Sequence, residues 1–85
     1  HSGLGLTMDE SMTRVLIKSI IADSPAEEAG LLAGDEILSV GDTKVQDVSL
    51  SKLEQLLRQD GKTVNITYKR DGTIASGTLT LRPLI

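Results

Sequence analysis

The rhythm of apolar and polar positions changes several times along this chain, and each change marks an element. Leu4, Leu6 and Met8 alternate with Gly5, Thr7 and Asp9, which predicts a half-buried strand. Asp9 to Thr13 is polar and reads as a loop. Arg14 to Ile21, RVLIKSII, is the longest run rich in β-branched residues and predicts a central strand. In the following SPAEEAG, Ser24 is placed to cap a helix whose first residue is Pro25. Glu27 stands at the capping-box position, and Gly30 supplies a left-handed C-terminal residue. That helix has room for about one and a half turns. A turn at Gly34-Asp35, tied down by Asp35, leads into a strand over Glu36 to Val40. GDTKV then gives a turn and a short strand.

Ser49 to Gln59 predicts the longer helix. Leu50, Leu53, Leu56 and Leu57 fall on one stripe, with Leu56 purely core, and Gly61 ends the element. Thr63 to Arg70 alternates Val64, Ile66 and Tyr68. Asp71-Gly72 is the dipeptide of a tight hairpin, and the return strand runs Thr73 to Arg82. Ile74 is out of phase with Leu79 and Leu81, which predicts a bulge or bend near Gly77. The order is strand, strand, short helix, strand, short strand, longer helix, hairpin. It predicts an α+β fold: a small, mostly antiparallel β-sandwich or partly open barrel of five to six strands, capped by two helices.

Composition narrows the chemistry. Eighty-five residues make a single domain, 1–85. A chain of this size buries only about 60–65 % of its unfolded surface. With no Phe, no Trp and Tyr68 as the sole aromatic, the core must be aliphatic. The net charge of −3, with both signs interspersed, and the missing aromatic platforms argue against nucleic acid as a partner. No apolar run approaches the ~20 residues of a membrane span, so no membrane insertion is expected. The absence of Cys removes disulfides and thiolate zinc sites. No signal peptide is visible, the chain reads as an excised domain, and residues 1–2 read as a tag remnant.

Catalysis finds no footing. The only His is terminal, so a Ser-His-Asp arrangement cannot be assembled. Asp42-Thr43 is followed by Lys44, which spoils the tight glycine turn that a paired-aspartate site needs, so Asp42 reads as a turn residue. Asp9/Glu10 and Glu27/Glu28 are adjacent pairs whose side chains point apart, and no calcium-loop spacing occurs, so no metal or other cofactor is expected. Gly3-Leu4-Gly5 opens a strand rather than a helix, and Met8 stands where a phosphate loop needs its third glycine. What remains is peptide binding. A loop with two glycines can turn several backbone N–H groups toward one point and hold a terminal carboxylate, while the strand that follows offers an edge to a ligand.

Taken together the motifs resemble a PDZ domain. Gly3-Leu4-Gly5-Leu6 is similar to the family's Gly-Leu-Gly-Phe loop, and SPAEEAGLLAGDEILSVGD to its Ser-Pro-Ala…Ala-Gly-Leu…Gly-Asp-x-Ile-Leu segment. Leu50 to Leu57 falls where the family's groove helix lies, and GKTVNITYKRDG is similar to its next strand. No strand precedes the glycine loop and an extra one follows Asp71-Gly72. This resembles the circularly permuted arrangement of bacterial members, in which the last strand fills the first strand's place.

The resemblance implies a site. Gly3, Leu4, Gly5 and Leu6 would form the carboxylate loop, with glycine supplying angles that a Cβ forbids. Thr7, Met8 and Asp9 would pair with the peptide. Leu50, Leu53, Glu54 and Leu57 would form the groove helix and, with Leu4, Leu6 and Met8, the pocket. Leu50 stands where many animal members carry a His, which implies an apolar preference two residues from the ligand's end. The implied function is a peptide-binding module of a bacterial protease in the periplasm or cell envelope, itself non-catalytic and monomeric. It would recognise C-terminal or extended segments and regulate its own protease domain. SPAEEAGL…GDEILSV and the LRPLI end resemble the PDZ of retropepsin-like aspartyl proteases, favoured here over serine types. The alternative is a scaffold or packing domain without a free ligand, in an envelope secretion or protease assembly.

Overall fold

The computed structural model describes residues 3–9 and 14–82. Residues 1–2, read above as a tag remnant, most of the Asp9–Thr13 loop and residues 83–85 of the LRPLI end lie outside the described residues. Six strands and two helices follow in the expected order: β1 (Leu4–Met8), β2 (Val15–Ile20), α1 (Pro25–Glu28), β3 (Glu36–Val40), β4 (Thr43–Lys44), α2 (Leu50–Leu56), β5 (Thr63–Arg70) and β6 (Thr73–Thr80). A single 3-10 turn, Val45–Asp47, precedes α2.

Local chemistry sets the boundaries. Ser24 Oγ accepts from the Glu27 N–H at 3.3 Å, and the Glu27 carboxylate accepts from the Asp23 N–H at 3.1 Å. The box therefore closes one residue further out than the usual reciprocal pair. Ser49 is the cap of α2 rather than its first residue, accepting from the Lys52 N–H at 3.2 Å. Asp71 and Gly72 both take positive φ, 51° and 80°, as a two-residue hairpin turn demands.

The sheet is open and antiparallel throughout, in the order β1-β2-β3-β5-β6, with β4 beside β3. The β-branched run of β2 is an interior strand, but β3 holds the centre, and β2 reaches it only through Val15 and Leu16. The β5–β6 ladder is continuous from Thr63↔Thr80 to Arg70↔Thr73, so the bulge expected near Gly77 does not form. Ile74 is out of phase because it faces solvent, 65 % exposed, while Leu79 and Leu81 face the core. The glycine there answers to a close approach: a Cβ at Gly77 would lie 3.3 Å from the Ala29 carbonyl oxygen behind α1.

The core is aliphatic. Ile17, Leu31, Ile37, Leu53, Ile66 and Leu79 are fully buried, with Tyr68 at its margin. Leu56 is half-buried at the periphery rather than purely core. Asp35 does tie down its turn. Its buried carboxylate accepts from the Leu32 N–H (2.9 Å), from Arg70 Nε (2.8 Å) and from Arg70 Nη2 (2.6 Å), while Nη2 also reaches the Gly30 carbonyl. The Arg70 hydrogen bonds hold the Asp35 carboxyl below the usual carboxylate range, against the opposing effect of burial. This clamp fixes the loop after α1 to the end of β5.

Candidate functional site

β1 has β2 on one flank, and among the described residues no strand lies on the other. The open flank is the one the glycine loop leads into. The Asp9 N–H donates to the Arg14 carbonyl at 3.0 Å, which fixes the parity of β1. Antiparallel alternation then turns Thr7 toward β2 and aims the backbone groups of Leu6 and Met8 at the open flank. Asp9 is spent within its own hairpin, its carboxylate also accepting from Arg14 Nε at 3.3 Å. These contacts with Arg14 run toward β2 and not toward the open flank.

Beside this edge lies a cavity of about 710 Å³. One wall is the loop Gly3, Leu4, Gly5 and Leu6; the other is Glu54 and Leu57 of the α2 segment. Six of the expected site residues are therefore brought together. Leu53 is not among them: it is wholly buried, because it is the residue of the α2 stripe that points straight at the sheet. Leu50 is half-buried against the core one turn earlier and does not line the cavity, and neither do Thr7, Met8 and Asp9, which continue the edge beyond it.

Five lining residues escaped the sequence reading: Lys18, Ser19, Ile21, Arg58 and Asp60. A signal existed for the first two. Lys18-Ser19 is a pair of adjacent polar residues inside an otherwise apolar run, a break in alternation of the kind a bulge produces. The ladder shifts register there: Gly5 pairs Ser19, Leu6 pairs Ile17, and Lys18 is the extra residue. Arg58 lies in the turn that follows α2, four residues after Glu54. Among the described residues no ion pair engages Lys18, Glu54 or Arg58.

The two glycines of the loop have different tasks. Gly3 is buried, with φ of +82°, and its carbonyl accepts from the Ile21 N–H at 2.9 Å. A Cβ on Gly3 would land on the Cβ and Oγ of Ser24, the buried cap of α1. Gly5 lies outside the left-handed region, and a Cβ there would meet only the Ser19 hydroxyl. The forbidden backbone geometry is thus at Gly3, and Gly5 leaves the outer face of the strand to the Ser19 hydroxyl. The turn under the loop is held from the C-terminal end. Arg82 Nη2 donates to the Asp23 carbonyl (2.7 Å) and to Glu28 Oε2 (3.0 Å), and Nη1 to Glu28 Oε1 (2.8 Å). Those hydrogen bonds hold the Glu28 carboxyl below the ordinary carboxylate range. Asp23 itself takes a positive φ of 59°.

Among the described residues no group of three or more His, Cys, Asp or Glu could hold a metal ion, and no helix is long and apolar enough to cross a membrane. The geometry is that of a docking groove: a strand flank with no described strand beside it, a glycine loop around left-handed Gly3, and a hollow lined by leucines and charged side chains beside a helix.

The PDZ domain family profile matches residues 2–81, and the chain belongs to this family. Over 71 residues it is 37 % identical to the Multiple PDZ domain protein of Rattus norvegicus, covering 81 % of this chain and 4 % of that protein. It is 42 % identical over 69 residues to the serine protease Do-like HtrA of Lactococcus lactis, covering 79 % of this chain and 16 % of that protease. The chain thus spans only a small part of the relatives it matches. Among solved structures, the photosystem II D1 C-terminal processing protease superposes with a TM-score of 0.83 at 31 % identity, over 93 % of this chain and 22 % of that one. The PDZ domain of the carboxy-terminal protease of Vibrio cholerae, solved in complex with peptide, gives 0.76 at 25 % identity, over 93 % of this chain and 89 % of that one. The domain is similar to those of HtrA and C-terminal processing proteases. The expected retropepsin-like aspartyl parent is corrected: the curated relatives that are named as proteases, among them the Lactococcus lactis HtrA, are serine proteases. SPAEEAGL…GDEILSV carries the PDZ scaffold, and a scaffold does not report the chemistry of a catalytic domain beside it.

Proposed function

We propose that this domain is a non-catalytic module that captures protein C-termini or extended segments by strand addition to the open flank of β1, within a serine protease of the HtrA or C-terminal processing kind. The observation that carries this is the coincidence of three features at one end of β1. These are the flank of β1 along which no described strand lies, the loop around left-handed Gly3, and the 710 Å³ hollow beside Leu57. The loop of Gly3, Leu4, Gly5 and Leu6 receives the terminal carboxylate. Leu6 and Met8 pair with the peptide backbone, and Leu4, Leu6 and Leu57 take the last side chain. The relative from Vibrio cholerae solved with a peptide supports the reading. In the parent protein the partner beyond the peptide is the protease domain, and the compartment is the bacterial cell envelope. β6, paired along its whole length to β5, suits the permuted bacterial arrangement.

Affinity is on the order of micromolar, because a short peptide loses its freedom on docking. The test is a titration of the ¹⁵N-labelled domain with a short valine-ended peptide as free acid and as amide. Amide shifts concentrated in residues 3–8 and 54–58, with the free acid binding at least about tenfold tighter, are the expected result. No shifts with any C-terminal peptide would favour a packing domain without a free ligand.

A further inference from the structure

We infer that Lys18 is a specificity-determining residue that selects an acidic side chain at the penultimate position of the bound C-terminus. The inference rests on the strand-addition reading and deepens it. Lys18 is the extra residue of the β1–β2 bulge, exposed beside Ser19 on the rim of the cavity, and no ion pair among the described residues engages it.

An added strand alternates its side chains. When the last side chain enters the hollow by Leu4 and Leu57, the penultimate one stands on the outer face of the sheet. The outer face of β1 at that end is Gly5, which has no side chain, and opposite Gly5 lies Ser19. Neighbouring strands are about 5 Å apart, so the flexible four-carbon stem of a lysine on β2 crosses β1 and brings its ammonium against the ligand's outer face. The bulge doubles the polar positions there, placing Lys18 as well as Ser19 on that side. The acidic groups of the cavity, Glu54 and Asp60, belong to the α2 wall and its following turn, away from this face. Over Gly5 the side chains of β2, Ser19 and beside it Lys18, take the place of a β1 side chain and face the ligand.

The experiment uses the 85-residue domain and short valine-ended peptides whose penultimate residue is Glu, Gln or Lys, with the Glu peptide also made as its amide. Fluorescence anisotropy gives the affinities at low and high salt. The Glu peptide binds about fivefold tighter than the Gln peptide and the Lys peptide is weakest, the spread shrinking at high salt as an exposed charge contact requires. Lys18→Gln flattens the ranking, and Lys18→Glu inverts it without touching the carboxylate loop. A wild-type domain that ranks the three peptides equally, or a Lys18→Glu domain that keeps the Glu preference, overturns the inference. In those cases the free acid still outbinds the amide and the site stands. Equal binding of acid and amide overturns the site reading itself, and this inference with it.

Discussion

Gly3→Ala probes the join between binding loop and scaffold, and its cost can be worked from the contacts. Gly3 holds φ of +82°, and an L side chain in the left-handed region costs about 1–2 kcal/mol. The new Cβ would overlap Ser24 Cβ and Oγ, and overpacking a filled site costs about 1–3 kcal/mol. Alanine narrows the unfolded ensemble, which offsets at most about 1 kcal/mol. The net is a loss of about 2–4 kcal/mol. A domain of 85 residues is held by about 4–13 kcal/mol. Urea unfolding followed by far-ultraviolet circular dichroism reads the loss as a lower midpoint at unchanged slope. In thermal unfolding the same loss appears as a fall of roughly 10–25 °C. Ser24→Gly removes the colliding Cβ but not the φ strain, so in the double variant it recovers about 1–2 kcal/mol of the packing cost. Gly5→Ala, which meets only the Ser19 hydroxyl, stays within about 1 kcal/mol of wild type. If Gly3→Ala unfolds at the wild-type midpoint, or if Ser24→Gly is strictly additive with it, the loop is not welded to the α1 cap.

Two further perturbations test the clamps around the site. The Asp35 carboxyl is held below its ordinary value by Arg70, so its contribution is complete above the unfolded carboxylate range near pH 4 and is lost as pH falls through the folded value. Wild-type stability should therefore drop more steeply below about pH 4 than that of Asp35→Asn, and parallel acid profiles would refute the assignment. Arg82→Gln removes the bond to the Asp23 carbonyl and the Glu28 pair. Amide resonances of Gly3, Ile21 and Asp23 should shift and C-terminal peptide affinity should fall, whereas an unchanged loop spectrum would show that Arg82 only decorates the surface.

Much of the fold is legible in the sequence because it is written in local signals. Ser24-Pro25, Gly30 and Asp71-Gly72 each demand one backbone conformation, and the leucine stripe of α2 has one way to face a sheet. The misreadings arise where a tertiary neighbour decides. Gly77 resembles a bulge because Ile74 breaks phase, yet the glycine is there to admit the Ala29 carbonyl and the isoleucine simply faces solvent. Leu53 and Leu57 belong to the same stripe. Only the packing of α2 on the sheet sends Leu53 fully into the core and leaves Leu57 at the cavity wall.

The site is half legible for a related reason. Its anion-binding part is backbone, and backbone geometry announces itself through glycine, so Gly3 and Gly5 stand out in the sequence alone. Which of the two is strained does not, since that depends on Ser24, twenty-one positions away along the chain and in contact through the α1 cap. The charged rim is hidden more deeply. Lys18 comes from β2 and Arg58 from the turn after α2, far apart in the chain and together only in the lining of the cavity, and each alone reads as an ordinary solvated side chain. What gives Lys18 direction is the bulge, because it places two consecutive residues of β2 on the face where Gly5 has no side chain of its own. Specificity in such a groove is therefore carried by the second strand reaching over the first. It can change by substitution at Lys18 while the carboxylate loop, the hollow and the core remain as they are.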